Sequence, residues 1–174
     1  MHRAAHEGHD LRQHLAPGDD FFPAGYNPAV VSGCVPDATI QALFVTRSWG
    51  NQLGGPTLQN YLNGGGIVLT EYSISDDVWA LAFGATAQGA GKGSCTDTAP
   101  TVVQFNPGDK MWQALPFTTI TVAQAGCGFS VSGFPGIVPL AGWDAQSASI
   151  GYRDLGKGRL WATDFDWQDN EMNQ

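Results

Sequence analysis

No histidine follows His14 in this 174-residue chain. A Ser-His-Asp or Cys-His catalytic arrangement would have to borrow its imidazole from the first twenty residues. A zinc site with a histidine ligand is excluded from the body of the chain. Basic residues are also scarce: eight Lys and Arg stand against sixteen Asp and Glu, giving a net charge of -8. No two basic residues are adjacent, so the clustered cationic footprint of a nucleic-acid binder is missing and no nucleic-acid partner is expected. Long apolar runs are lacking too. None approaches the roughly 20 residues that span a bilayer, so no membrane partner is expected. Charged residues make up only 14%, against about a quarter in an average soluble domain. Low charge with abundant Gly, Ser, Thr, Asn and Trp is the composition of an exported protein, extracellular or periplasmic if bacterial. Residues 1–20 hold no apolar signal-peptide core, so export is an expectation from composition, and the chain can be a fragment of a longer protein.

What is present is organised around residues 55–83, GPTLQNYLNGGGIVLTEYSISDDVWALAF. Leu58, Tyr61 and Leu62 fall at i, i+3 and i+4, one face of a short helix begun by Pro56 and Thr57. Asn63-Gly64-Gly65-Gly66 stops that helix, because glycine accepts the backbone a helix end needs. Residues 67–70 read as a continuously apolar strand, expected to be buried on both faces. A second helix begins at Ser75-Asp76-Asp77, with Val78, Leu81 and Ala82 as its apolar face. Before this segment, residues 38–46 form a strand with Leu43-Phe44-Val45 as its buried centre, running out into Arg47-Ser48-Trp49-Gly50.

After it, residues 85–97 are a glycine-rich excursion whose GAGKG lacks the spacing of a phosphate loop. Residues 101–105, 120–123 and 137–140 read as strands, the last at an edge where Pro139 is tolerated. Residues 148–153 and 158–166 form a hairpin across Leu155-Gly156-Lys157-Gly158, expected to bring Asp164, Asp166 and Trp167 to a strand end. Residues 1–20 hold all four histidines, His2, His6, His9 and His14, and read as a flexible extension preceding a single α/β domain at 21–174.

The helix end NYLNGGG, the strand IVLTEYS and the late hairpin GYRDLGKGRLWATDFDW together resemble the class I glutamine amidotransferase-like superfamily. Within it they resemble the ThuA-like and related non-catalytic flavodoxin-like domains of bacterial exported proteins. The resemblance covers residues 38–84 and 148–168. It implies a three-layer flavodoxin-like α/β fold with a mostly parallel central sheet, here ending in an antiparallel hairpin. The amidotransferase nucleophile sits in a G-x-C-x-G elbow. Cys34 (SGCVP), Cys95 (GSCTD) and Cys127 (AGCGF) each lack one or both of those glycines, and glutamine hydrolysis is set aside.

In an open α/β sheet, ligands bind beyond the C-terminal ends of the strands. That rim is expected to gather Glu71, Asp76 and Asp77 after one strand with Asp164, Asp166 and Asp169 after another. Two readings stand for these carboxylates. Asp76 and Asp77 complement the N-terminal end of a helix while the others solvate the rim; or Asp76, Asp77, Asp164 and Asp166 hold Ca²⁺, structurally or to activate water. Ser48 and Ser73 occupy places where an α/β enzyme presents a nucleophile, with Glu71 and Asp76 beside them, although neither serine lies in a full G-x-S-x-G elbow. Arg47 either pairs with a neighbouring carboxylate or orients an anionic substrate group. Trp49, Tyr72 and Trp167 are the candidate aromatic contacts for a small molecule or carbohydrate.

Cys95 and Cys127 lie in glycine-rich loops and would staple the second half as a disulfide, leaving Cys34 over; free thiols are the alternative. Two functions from different classes follow: a non-catalytic ligand-binding or structural domain, and a small Ca²⁺-dependent hydrolase of esters or lactones.

Overall fold

The computed structural model describes residues 36, 39–40, 42–45, 53–84, 101–112, 119–121, 128–142, 144 and 147–164. The N-terminal extension and the glycine-rich excursion of residues 85–97 lie outside them. Three strands run parallel at one side of the sheet. Strand β1 (Ala42–Val45) pairs with β2 (Ile67–Thr70), and β2 pairs with β8 (Gly158–Thr163). Helix α1 (Gly55–Asn63) connects β1 to β2 and helix α2 (Ile74–Phe83) follows β2.

The remaining strands are β3 (Thr101–Gln104), β4 (Thr119–Thr121), β5 (Phe129–Ser130), β6 (Val138–Gly142) and β7 (Ser147–Leu155). The order is β1-β2-β8-β7-β6-β3-β4, with β5 also on β7. The architecture is therefore a mixed α/β sheet with two helices. The expectation of a mostly parallel sheet is corrected, since every pairing beyond β2–β8 among the described residues is antiparallel. Parallel neighbours need long crossovers. The step from β7 to β8 is two residues, Gly156 and Lys157, which only an antiparallel pair permits. The expected C-terminal hairpin is present, with Leu155 opposite Gly158.

Helix α1 forms as its sequence dictates. Gly54 precedes it with extended backbone, Pro56 sits in its first turn, and Leu58, Tyr61 and Leu62 are its buried face. The Tyr61 hydroxyl donates to the carbonyl oxygen of Ile40 at 3.0 Å, and burial pushes its phenol pKa up. Helix α2 packs against α1, partly through the Gln59 amide, which donates to the carbonyl oxygens of Leu81 and Ala82. It buries Ile74, Val78, Trp79 and Ala82. Trp79 meets Phe134 edge-on at 5.1 Å, and Phe134 meets Phe129 at 4.9 Å, so the core runs from α2 to the irregular strand β5. Such pairs add directional attraction to their area burial.

Both helices touch β8 and each other, so they share one face of the sheet. This corrects two expectations. Val68 and Thr70 are buried beneath the helices, but Ile67 is 44% exposed and Leu69 only half-buried. Likewise Leu43 and Val45 are buried while Phe44 between them is 38% exposed. Residues 67–69 are apolar and only Thr70 is polar, yet only one face is fully covered. Strand β6 departs in another way. It lies between β7 and β3 rather than at an edge. Pro139 is accommodated there because the β6–β7 register shifts immediately after it, the irregularity that lets a strand spare a proline's missing N–H.

Two glycine motifs far apart in sequence meet at the end of α1. A Cβ on Gly158 would collide with the carbonyl oxygens of Leu62 and Gly66. Gly156, at φ +60° in the hairpin turn, leaves no room for a Cβ against Asn63. The amide of Arg159 then donates to the Gly66 carbonyl at 3.1 Å.

Candidate functional site

The ends of β2 and β8 are hydrogen-bonded neighbours, with Leu69 beside Trp161. The carboxylates that follow them therefore reach the same end of the sheet. Glu71 is fully buried there and Asp164 is 7% exposed. Asp164 Oδ2 accepts the Gly128 amide at 2.7 Å, and the Asp164 amide donates to the Ser149 carbonyl at 2.9 Å. The Glu71 amide donates to the Val45 carbonyl at 3.3 Å and so ties the end of β1 to the same rim. Glu71 and Asp164 thus follow two neighbouring parallel strands, at buried positions.

Between Glu71 and α2 the chain turns sharply. Tyr72 adopts φ +36°, and among the described residues it alone has a positive φ without being glycine. A side chain held in this region costs about 1–3 kcal/mol, and such residues concentrate at functional sites. A strained strand-to-helix turn is also how α/β hydrolases lift a nucleophile above the sheet. Here the turn carries a phenol, half-buried. Ser73 follows at the N-cap of α2, exposed and without a side-chain capping bond.

Three buried hydroxyls close the structure beneath this turn. Thr70 Oγ1 lies 2.7 Å from Ser75 Oγ and donates to the Trp161 carbonyl at 2.9 Å. Ser75 Oγ also lies 3.2 Å from the Thr163 carbonyl, and Thr163 Oγ1 donates to the Thr70 carbonyl at 2.8 Å. Each hydroxyl has one proton, and all three are directed at main-chain oxygens or at one another. They lock β2, β8 and the first turn of α2 together, and all three side chains are buried.

Asp76 and Asp77 occupy the first turn of α2, Asp76 half-buried and Asp77 exposed. Their charge there complements the helix dipole. The cap position belongs to Ser73, two residues before the expected helix start at Ser75 and three and four before Asp76 and Asp77. Among the described residues no three His, Cys, Asp or Glu side chains are grouped to hold a metal ion. Arg47, Ser48, Trp49, Asp166, Trp167, Asp169 and the cysteines Cys34, Cys95 and Cys127 lie outside the described residues.

Sequence reasoning missed a second cluster at the opposite end of β2 and β8. Arg159 Nε donates to Asp154 Oδ1 at 2.6 Å and Nη2 to Asp154 Oδ2 at 3.1 Å. The guanidinium carbon lies 3.8 Å from the Tyr152 ring centroid, and Nη1 is 3.2 Å from Met111 Sδ. The Asp154 hydrogen bond raises the pKa of Arg159 further. Burial first, and then the bond its hydroxyl donates to Asp109, push up that of Tyr152. The signal was available in the hairpin: a two-residue turn places Asp154 opposite Arg159 and Tyr152 opposite Trp161, and such cross-strand partners interact directly.

No protein-family model matches the chain, and no curated protein matches it. Several solved structures are similar at low identity. A cytoplasmic protein from Salmonella typhimurium LT2 is 11% identical over 72% of this chain and 60% of its own, with a TM-score of 0.49. A β-galactosidase from Rahnella sp. R3 is 12% identical over 74% of this chain and 20% of its own, with a TM-score of 0.42. A β-galactosidase from Bacillus circulans sp. alkalophilus is 11% identical over 69% and 18%, with a TM-score of 0.40. The chain spans less than two thirds of each of these proteins. Likenesses at this level assign neither family nor function.

Proposed function

We propose that this chain is a non-catalytic ligand-binding or structural domain of an exported bacterial protein, built on an amidotransferase-like α/β frame. The parallel β1–β2–β8 pairing with α1 and α2 between these strands in the chain supports that frame. So does the glycine contact between the end of α1 and the hairpin. One observation carries the functional reading. The strained turn after β2 presents Tyr72 where an enzyme would present a nucleophile, while the hydroxyls beneath it are engaged by main-chain oxygens. A phenol beside exposed Ser73 is suited to hydrogen-bond and stack on a neutral small molecule or sugar. Amide chemical-shift mapping of the full chain with galactose, glucose and acetate tests this. Saturable shifts confined to residues 71–76 and 163–164, lost in Tyr72→Ala, are expected. Absence of any saturable shift at the rim contradicts the binding reading and leaves the structural one.

A second reading, a small Ca²⁺-dependent hydrolase of esters or lactones, is favoured by the shared rim position of Glu71 and Asp164. Oxygen-only ligands suit Ca²⁺. Asp164 already accepts the Gly128 amide, so a complete ligand set would have to draw on Asp76, Asp77 and Asp166. The ion would polarise a carbonyl and activate water. Stabilisation of the fold by Ca²⁺, with turnover that EDTA and Asp164→Asn both abolish, would establish it.

A further inference from the structure

A cavity of about 370 Å³ opens at the end of β2 and β8 remote from the Tyr72 turn, lined by Gly65, Ile67, Met111, Lys157, Arg159 and Trp161 among others. Its volume is at the lower end of the range for small-molecule sites. One wall is apolar: Ile67 is 44% exposed and Trp161 is half-buried. Another is cationic, and its two cations differ in role. Arg159 is fixed, its fork closed on Asp154 and its plane stacked on Tyr152. Lys157, exposed in the hairpin turn, has no ion pair among the described residues. Two of the eight basic residues of a chain carrying net charge -8 therefore line one cavity.

Charge and shape together narrow the ligand. Lys157 and Arg159 bring two positive charges and Asp154, which also lines the cavity, removes one. With Arg159 committed to Asp154, Lys157 is left to take one anionic group, whereas a dianion would be opposed by Asp154 and by Asp109, whose charge also reaches Arg159. Exposed Ile67 and half-buried Trp161, whose ring already packs against Tyr152 at 5.2 Å, offer apolar surface beside that charge, suited to a planar ring. The three glycines Gly65, Gly156 and Gly158 put bare main chain on the cavity wall, where no side chain obstructs entry.

We infer that this cavity is a binding site for a small aromatic monocarboxylate, with Lys157 taking the carboxylate and Trp161 the ring. The site is separate from the rim around Tyr72. Its success or failure is read at different residues and leaves the reading of that rim untouched.

The test is a titration of the full chain with benzoate, followed by the indole N–H of Trp161 and the amides of Gly156 and Gly158. Phenyl phosphate, acetate and galactose serve as comparison probes. Saturable shifts with benzoate are expected, with weaker binding of phenyl phosphate, acetate and galactose. Lys157→Gln, an exposed turn substitution that leaves the core untouched, is expected to weaken benzoate about tenfold, the effect of losing one charge-assisted hydrogen bond. Trp161→Leu is expected to weaken benzoate while leaving acetate unchanged. No saturable shift with benzoate overturns the inference. So does benzoate binding that Lys157→Gln leaves unaltered, or tighter binding of galactose or phenyl phosphate.

Discussion

The carbonyl oxygen of Gly66 occupies the space that a Cβ on Gly158 would need. Two glycine motifs more than ninety positions apart are thereby explained by one contact, since the end of α1 and the start of β8 meet backbone to backbone. Gly158→Ala must move main chain rather than a flexible side chain. It is expected to lower the unfolding free energy by about 2 kcal/mol, as overpacking does. Gly84→Ala, at φ +65° with nothing within 4 Å, has only the backbone conformation against it and is expected to cost about 1 kcal/mol. Urea denaturation of both variants checks the order.

The buried hydroxyls are expected to be coupled. Thr70→Val removes the donor to the Trp161 carbonyl and a partner of Ser75, and should cost about 1–3 kcal/mol. Ser75→Ala should cost about 1 kcal/mol. Because the two share a bond, the double variant should lose less than the sum of the singles. A strictly additive result would show that the 2.7 Å contact contributes nothing.

Tyr72→Gly separates strain from function. Glycine adopts φ +36° without penalty, so release of strain should offset the lost ring contacts and leave stability unchanged or raised by up to about 1 kcal/mol. Rim binding should disappear in the same variant. A large loss of stability would make Tyr72 a packing residue instead of a binding one.

Tyr61 and Tyr152 are expected to ionise above their ordinary value of 10.0, chiefly because burial disfavours the phenolate. The sign follows from linkage. Their native pKa values are raised, so the stability they contribute is intact below pH 10.0 and is lost as pH rises through the native values. Tyrosinate absorbance of the folded chain should contain late-titrating phenols, and Tyr152→Phe should remove one of them. An alkaline titration in which all phenols ionise together near the ordinary value would contradict the burial of both.

Much of the parallel half was legible in the sequence. Leu58, Tyr61 and Leu62 had only one way to share a helical face, and the glycines after Asn63 stopped the helix where expected. What residues 42–45 and 67–70 did not disclose is which face the helices cover. In four-residue strands with apolar side chains on both faces, that choice is made by the packing of α1 on α2, a tertiary fact. The direction of the second half was obscured for a similar reason. Strand pairing is chosen by connection length as much as by composition, and short apolar runs read alike in either direction. At the rim, Glu71 and Asp164 were identifiable from their places after two strands. The left-handed turn at Tyr72 was not, because nothing in T-E-Y-S demands glycine-like backbone.

Turnover is the measurement closest to the central claim that the Tyr72 rim binds without reacting. The full chain should be assayed with p-nitrophenyl acetate and δ-valerolactone, with Ca²⁺ and with EDTA, beside thermal unfolding under the same conditions. Hydrolysis no faster than in buffer, with unfolding indifferent to Ca²⁺, is the predicted result. Turnover abolished by EDTA and by Asp164→Asn, with Ca²⁺ raising the melting temperature as native-state binding requires, would contradict it and make the carboxylate rim an active site.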